Sequence, residues 1–315
     1  MKKNYNPDLL KELDIVLPSP CEKLNLPFGL PEIYCKRDDL IHPVISGNKW
    51  RKLEGHLAHY FQNNYVGIVT VGSIHSNFLH AIAYVAFKLK IPLRIYYYGV
   101  GDIGKSPVIK DLVNWNSEIF PIQRNYLGSN FLQDISTERN SYFIPEGGGG
   151  ILGEIGISKL VSELGGQLDK SENAVLVATG TGTTIRGIMN NTTNLHALTY
   201  TPVKSMEGII VDNRIKYIFL KSPIKFGGYS EELMEFILNF YKEHKILLDP
   251  IYTSVLMKCF IENPDCTIPF SKVYFIHTGG LQAWRSYLIR YPKALEKLKL
   301  IELIEIQKII IELAH

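Results

Sequence analysis

Thr179-Gly180-Thr181-Gly182-Thr183-Thr184 follows the apolar run Val175 to Ala178 and leads into Ile185-Arg186-Gly187-Ile188-Met189, which reads as a helix. A glycine-rich turn that opens a helix aims backbone N–H groups at a ligand, and threonine hydroxyls add donors, so the segment suits a phosphate. It lacks the Gly-Lys that ends a nucleoside-triphosphate loop, and Ile185 stands where a dinucleotide fingerprint starting at Gly180 wants a small residue. A small phosphate ester fits better than a nucleotide, and a purely structural tight turn is the alternative.

A second segment, Ser46-Gly47-Asn48-Lys49-Trp50-Arg51-Lys52-Leu53-Glu54, runs from Lys36-Arg37-Asp38-Asp39 into a helical stretch. Most lysines in such a charged run are solvated. Lys49, however, comes directly after Gly47-Asn48, where the backbone can approach a ligand, and the like charges of Arg51 and Lys52 are expected to lower its pKa. A lysine amine must be neutral to attack an aldehyde, so this setting suits Schiff-base chemistry. The third segment, Val71-Gly72-Ser73-Ile74-His75-Ser76-Asn77, sits between a strand and a helix, where open α/β sheets bind ligands. Ser76 or Asn77 can cap that helix while exposing the same polar groups to a crevice. For His75, a hydrogen-bonded structural role stands against acid–base work.

The elements that position these segments alternate in type. Ile68 to Val71, Leu93 to Tyr97, Val175 to Ala178, Lys216 to Leu220 and Val273 to Ile276 are β-rich, and Phe78 to Leu89, Glu154 to Leu164 and Glu231 to Tyr241 have helical spacing. This order predicts an α/β fold with parallel sheets, and the unbroken apolar run at Val175 predicts a strand covered on both faces. Gly147 to Gly150 is a flexible turn, a hinge or a close backbone approach to a ligand. The tail from Leu298 to Leu313 is expected to pack as a closing helix.

A chain of 315 residues, 46% hydrophobic, can bury a large core and split into two lobes. The net charge of +3 arises from 34 basic and 31 acidic residues spread along the chain, which argues against a nucleic-acid partner. No apolar run reaches a membrane span, and no apolar signal core follows the first residues, so a cytoplasmic chain is expected. Cys21, Cys35, Cys259 and Cys266 form no Cys-x-x-Cys pair, disfavouring zinc and disulfide frameworks, and they read as reduced thiols.

With these segments together, the sequence resembles the family of 1-aminocyclopropane-1-carboxylate deaminases and D-cysteine desulfhydrases. The similarity runs through Lys36 to Asp39, Gly47-Asn48-Lys49, Arg51 to Glu54, Gly72 to Asn77, Ile144-Pro145, Leu152-Gly153, the Thr-Gly loop, Asp249-Pro250-Ile251-Tyr252 and His277-Thr278-Gly279-Gly280. The resemblance implies a two-domain α/β fold of type II, like the tryptophan-synthase β-subunit, with pyridoxal 5'-phosphate as cofactor. The larger domain would hold residues 1–47 and 162–315, and the smaller inserted one 48–161. Lys49 would be the Schiff-base lysine; Lys52 with Gly180, Thr181, Gly182, Thr183 and Thr184 would hold the phosphate, and Asn77 would face the phenolic oxygen. Ser76 would lie beside the substrate, with His75, holding its carboxylate or acting as a nucleophile or proton carrier, and Tyr229 and Tyr252 would line the pocket, one stacking and one managing protons. A homodimer is usual in the family.

Two positions bear on the substrate. Deaminases of the cyclopropane amino acid typically carry glutamate after Asp-Pro-x-Tyr and leucine after the later histidine, whereas this chain has Thr253 and Thr278. Glutamate would keep the pyridine nitrogen protonated and the ring a strong electron sink; threonine leaves it nearer neutral, which suffices when thiolate departs. The implied reaction is α,β-elimination on a small amino acid, with D-cysteine going to pyruvate, ammonia and sulfide. The alternatives are deamination of 1-aminocyclopropane-1-carboxylate to 2-oxobutyrate, and a cofactor-binding protein without efficient turnover. Departures from the family pattern at Ser73, His75 and Ser254, and a short segment between Thr201 and Gly227, bear on the substrate more than on the cofactor.

Overall fold

Among the described residues, ten strands divide into two sheets. The computed structural model describes residues 9–26, 29–45, 47–99, 103–128, 130–166, 168–202 and 210–299. Strands β1 (Cys21–Leu24), β2 (Glu32–Lys36), β7 (Asn173–Ala178), β8 (His196–Tyr200), β9 (Ile215–Tyr217) and β10 (Lys272–Ile276) form a sheet in the order β1-β2-β10-β7-β8-β9. Only its first pair is antiparallel. The second sheet, ordered β5-β4-β3-β6, joins β3 (Ile68–Ser73), β4 (Leu93–Tyr98), β5 (Glu118–Pro121) and β6 (Tyr142–Ile144), all parallel.

Helices α1 (Leu9–Glu12), α2 (Asn48–Gln62), α3 (Asn77–Leu89), α4 (Pro107–Asn114), α5 (Phe131–Glu138) and α6 (Ile151–Leu164) precede β7. After it come α7 (Thr183–Met189), α8 (Glu231–His244), α9 (Thr253–Glu262), α10 (Ala283–Arg290) and α11 (Pro292–Lys299). Every residue of β7 is buried, as its unbroken apolar character requires of a strand covered on both faces. Its successive side chains serve different cores. Leu176 joins Phe275, Met234 and Leu256 below α8 and α9, whereas Val175 and Val177 join Ile157, Ile185 and Ile276 below α6 and α7. A third core, with Ile68, Ile95 and Ile144 of the smaller sheet, takes Trp50, Leu53 and Leu57 of α2 and Ile82 of α3.

The predicted α/β class and parallel sheets are observed. The strand expected over Lys216 to Leu220 is shorter, because only Ile215 to Tyr217 pair with β8 at the sheet edge. The expected closing helix over Leu298 to Leu313 lies, beyond 299, outside the described residues, and so does Ser46. Among the described residues no helix is long and apolar enough to cross a membrane.

Candidate active site

Helix α2 starts against the backbone that follows β10. Gly47, at φ 68°, precedes it, and a Cβ there would lie 2.0 Å from the Thr278 carbonyl oxygen, so both the conformation and the space demand glycine. Lys49 Nζ donates to that same carbonyl at 3.0 Å. Arg51 turns the other way. It bonds Asp38 through Nε and Nη2, each at 2.7 Å, and Glu163 through Nη1 and Nη2, each at 2.9 Å. Lys36 Nζ reaches Glu163 at 2.6 Å, so the Lys36 to Asp39 segment fixes α2 to α6 through a partly buried ion network.

The pKa of Lys49 falls to about 8, as expected, but for a different reason. Burial does it, and the Asp249 carboxylate opposes it; Arg51 spends its charge on two carboxylates on the far side of the helix. Lys52, one turn on and on the same face, falls further, to about 7, through burial and the charges of Lys49 and Arg186.

Lys52 leads to the threonine loop. Its Nζ donates to the Gly147 carbonyl at 3.1 Å, and a Cβ on Gly147 would meet Thr181 Cγ2 at 2.8 Å. Gly147 is thus packed closely between Lys52 and the loop. Gly180 carries the Tyr252 ring, whose hydroxyl would lie 3.7 Å from a Cβ there, and Gly182 at φ 81° turns the chain into α7. Thr181 and Thr183 share a hydrogen bond of 3.2 Å, and Thr184 Oγ1 accepts Asn48 Nδ2 at 2.8 Å, tying the loop to the start of α2.

Ser76 caps α3, its Oγ accepting Leu79 N–H at 3.2 Å, as anticipated. Asn77 and Lys49 flank Gly280, where a Cβ would stand 2.8 Å from Asn77 Nδ2 and 3.5 Å from Lys49 Nζ. Asn77 Oδ1 is buried with no hydrogen-bond partner. His75 is exposed and its ring has no hydrogen bond among the described residues, so the hydrogen-bonded structural role weighed for it is not found. Thr253 is committed elsewhere: its Oγ1 donates to Asp249 Oδ2 at 2.5 Å and accepts Asp249 N–H at 2.8 Å. Tyr252 holds its proton strongly, because burial and then the charges of Asp249 and Glu146 push its pKa up. Tyr229 has its ring against Tyr291, at 5.9 Å, and Glu231 beside it.

The arrangement offers a neutralisable amine, a basic residue one turn away beside hydroxyls and a helix start, and an orphaned amide oxygen between them. These residues fit pyridoxal phosphate, which needs an amine for its aldehyde and donors for its phosphate. Residues 13–201 match the family described as pyridoxal-phosphate dependent enzyme. The chain belongs to that family, in its 1-aminocyclopropane-1-carboxylate deaminase and D-cysteine desulfhydrase branch. An Arabidopsis thaliana protein named bifunctional D-cysteine desulfhydrase/1-aminocyclopropane-1-carboxylate deaminase, mitochondrial, is 30% identical over 311 residues, covering 84% of this chain and 77% of its own. A putative 1-aminocyclopropane-1-carboxylate deaminase of Pyrococcus horikoshii is 26% identical over 282 residues, covering 81% and 86%. The solved structure of a 1-aminocyclopropane-1-carboxylate deaminase homologue shares the fold, with a TM-score of 0.71 at 22% identity over 93% of this chain and all of that one. The fold is type II, and the chain is a pyridoxal-phosphate-dependent deaminase or lyase of this family.

Three residues at the site escaped the sequence reading. Asp249 accepts the N–H groups of Ile251, Tyr252 and Thr253, and so shapes the start of α9. Its signal was an aspartate before Pro250 and four residues ahead of Thr253, a cap pattern read only as part of a motif. Glu146 accepts the Tyr98 hydroxyl, and Gln282 Nε2 lies 3.4 Å from the Asn77 carbonyl; neither has a local sequence signal, since each partner is far away in the chain.

Proposed function

We propose that this enzyme catalyses α,β-elimination on a small amino acid, D-cysteine being the best single substrate, with pyruvate, ammonia and sulfide as products after one water is taken up. Thr253 carries this reading. A threonine, and not a carboxylate, stands at that position, so no charge there would keep a pyridine nitrogen protonated, which suits a substrate with a good leaving group.

Bound in the cleft, pyridoxal phosphate supplies an aldehyde for amines and a ring that withdraws electrons from the substrate Cα. Lys49 would carry it, Lys52 and Gly180 to Thr184 would hold its phosphate, Asn77 would face its phenolic oxygen, and Thr253 and Thr278 would border the ring. At about 8, Lys49 is partly neutral near physiological pH, and its free amine would take the substrate's Cα proton. Tyr252, whose raised pKa keeps it protonated, would line the pocket as a neutral hydrogen-bond donor to the departing sulfur. Ser76 accepts from the helix but retains its own hydroxyl proton for the substrate carboxylate, and His75 and Tyr229 would lie at the outer wall. The two sheets would act as two lobes, in a cytoplasmic homodimer.

Replacing Lys49 with alanine and treating the loaded protein with borohydride tests the assignment. The wild type should retain the cofactor covalently at Lys49 and the variant should not. Full activity in Lys49→Ala would overturn the reading. The name of the Arabidopsis relative favours 1-aminocyclopropane-1-carboxylate as a second substrate. Incubation with each amino acid separates the two, since one yields pyruvate and the other 2-oxobutyrate.

A further inference from the structure

Arg285 ties α10, the helix that follows Gly280, to α4, and through Asp111 to His80 of α3. Gln282, the cap of α10, donates from Nε2 to the Asn77 carbonyl at 3.4 Å. One turn on, Arg285 bonds Asp111 of α4 through Nη1 at 2.5 Å and Nη2 at 3.2 Å. The same carboxylate bonds His80 Nε2 at 2.9 Å, and His80 lies three residues beyond Asn77 on α3. His80 is fully buried, Gln282 is 2% exposed and Asp111 7%, so water competes little for these bonds. Burial opposes the charge of Asp111, yet bonds from His80 and Arg285 keep its carboxyl below the usual range.

The linkage crosses between cores. His80 and Asp111 lie on helices whose apolar faces pack with the smaller sheet, whereas Trp284 and Tyr287 of α10 belong to the core of the larger one. Lys49 is bonded to the Thr278 carbonyl, two residues before Gly280 and four before Gln282. The distance between Lys49 and Asn77 across Gly280 is therefore framed by α10 on one side and by the first turn of α3 on the other.

We propose that Arg285, acting through Asp111, is a positioning residue that holds the first turn of α3 against α10 and so sets the orientation of the pyridoxal ring between Lys49 and Asn77. The proposal rests on the reading that Lys49 carries the cofactor and Asn77 faces its ring. A rigid helical turn transmits the placement: a shift of Asp111 moves His80, and with it Asn77 on the same face.

The test uses loaded wild type, Arg285→Met, Arg285→Lys and the double variant Arg285→Met/Asp111→Asn. Visible circular dichroism of the bound cofactor, divided by the amount trapped at Lys49 by borohydride, reports ring orientation without any substrate. Arg285→Met should trap as much cofactor as the wild type while the normalised signal falls about twofold or more, and kcat should fall about tenfold with KM little changed. Arg285→Lys should recover most of both. A folded Arg285→Met with wild-type dichroism and kcat overturns the proposal. If that variant does not fold, the double variant, which leaves no unpaired buried charge, is read by the same criteria. Absence of trapping at Lys49 in the wild type would sink the cofactor reading and this inference together, whereas normal trapping with unchanged dichroism sinks the inference alone.

Discussion

Lys52 is held near 7 in the folded protein by burial and by the charges of Lys49 and Arg186, while a lysine in the unfolded chain ionises near 10.4. The unfolded state therefore binds more protons between those values, so stability rises with pH from about 7 to about 10 and the full cost is felt below 7. Lys52→Met should flatten that rise and stabilise the cofactor-free protein at pH 7 by roughly 1–4 kcal/mol, read by denaturant unfolding at pH 7 and pH 9. The same change should weaken pyridoxal phosphate about ten- to a hundredfold, the worth of a charge-assisted hydrogen bond. An unchanged pH slope would show that another group titrates. Asp249 makes a second case, since its charge holds the Lys49 pKa up. In Asp249→Asn the pH at which Lys49 begins to react with pyridoxal phosphate should move below 8; stopped-flow trapping across pH would show it, and an unmoved limb would exclude the carboxylate. Lys49, Ser76 and the threonine loop were legible in the sequence because glycine turns and helix caps are local patterns. Asp38, Asp249 and Gln282 were not, because what each does depends on a partner brought from elsewhere by the fold. Arg51 leaves the Lys49 pKa alone for a related reason: two residues from Lys49 on a helix, it faces the opposite side, where Asp38 and Glu163 wait.

Helices α2 and α6 meet so closely that their glycines are structural. A Cβ on Gly156 would lie 1.9 Å from the Arg51 carbonyl oxygen, and one on Gly55 would lie 2.0 Å from that of Leu152. The crossing places Glu163 against Arg51 and Lys36, and it puts Lys49 and Lys52 in register with the loop before α7. Gly156→Ala should force the helices apart, costing about 1–3 kcal/mol and weakening the cofactor at the same time. Gly166→Ala, on an exposed glycine with nothing within 4 Å, should stay within about 0.5 kcal/mol of the wild type. Thermal melts with and without cofactor compare the two, and equal effects would mean that the crossing is not tight. The alternation of types was visible because β7 and α3 are long, apolar and regular. The edge strands β1 and β6 were not, since strands of 4 and 3 residues carry too few side chains to establish a period of two. The Gly153 to Gly156 spacing was in view, but nothing in a single helix shows that another will lie across it.

The groups assigned to one small ligand come from both sheets of the molecule. Lys49, Lys52, Ser76 and Asn77 ride on α2 and α3, whose apolar faces pack into the core of the smaller sheet. Thr181 to Thr184, Tyr252 and Thr278 stand at the ends of strands and starts of helices around the larger one. Segments also trade sides: Leu13, Ile41 and Ile45 flank β1 and β2 in the chain yet pack into the smaller sheet's core, while Ile157 and Leu160 of α6 pack into the larger one's. No change of composition marks these exchanges, so the sequence could indicate two sheets without revealing which segments each core recruits. A ligand gripped from both sides must stabilise both. At a hundredfold excess over its dissociation constant, pyridoxal phosphate should add about 2.7 kcal/mol of stability, and amides at Phe78 to His80 and at Thr183 to Ile185 should slow together in hydrogen exchange. Lys49→Ala, which keeps the phosphate contacts, should retain the protection near Thr183 while losing more of it near Phe78. Protection confined to one of these segments in the wild type would mean that the cofactor is held by one sheet alone, and would remove Asn77 and the α3 turn from the site.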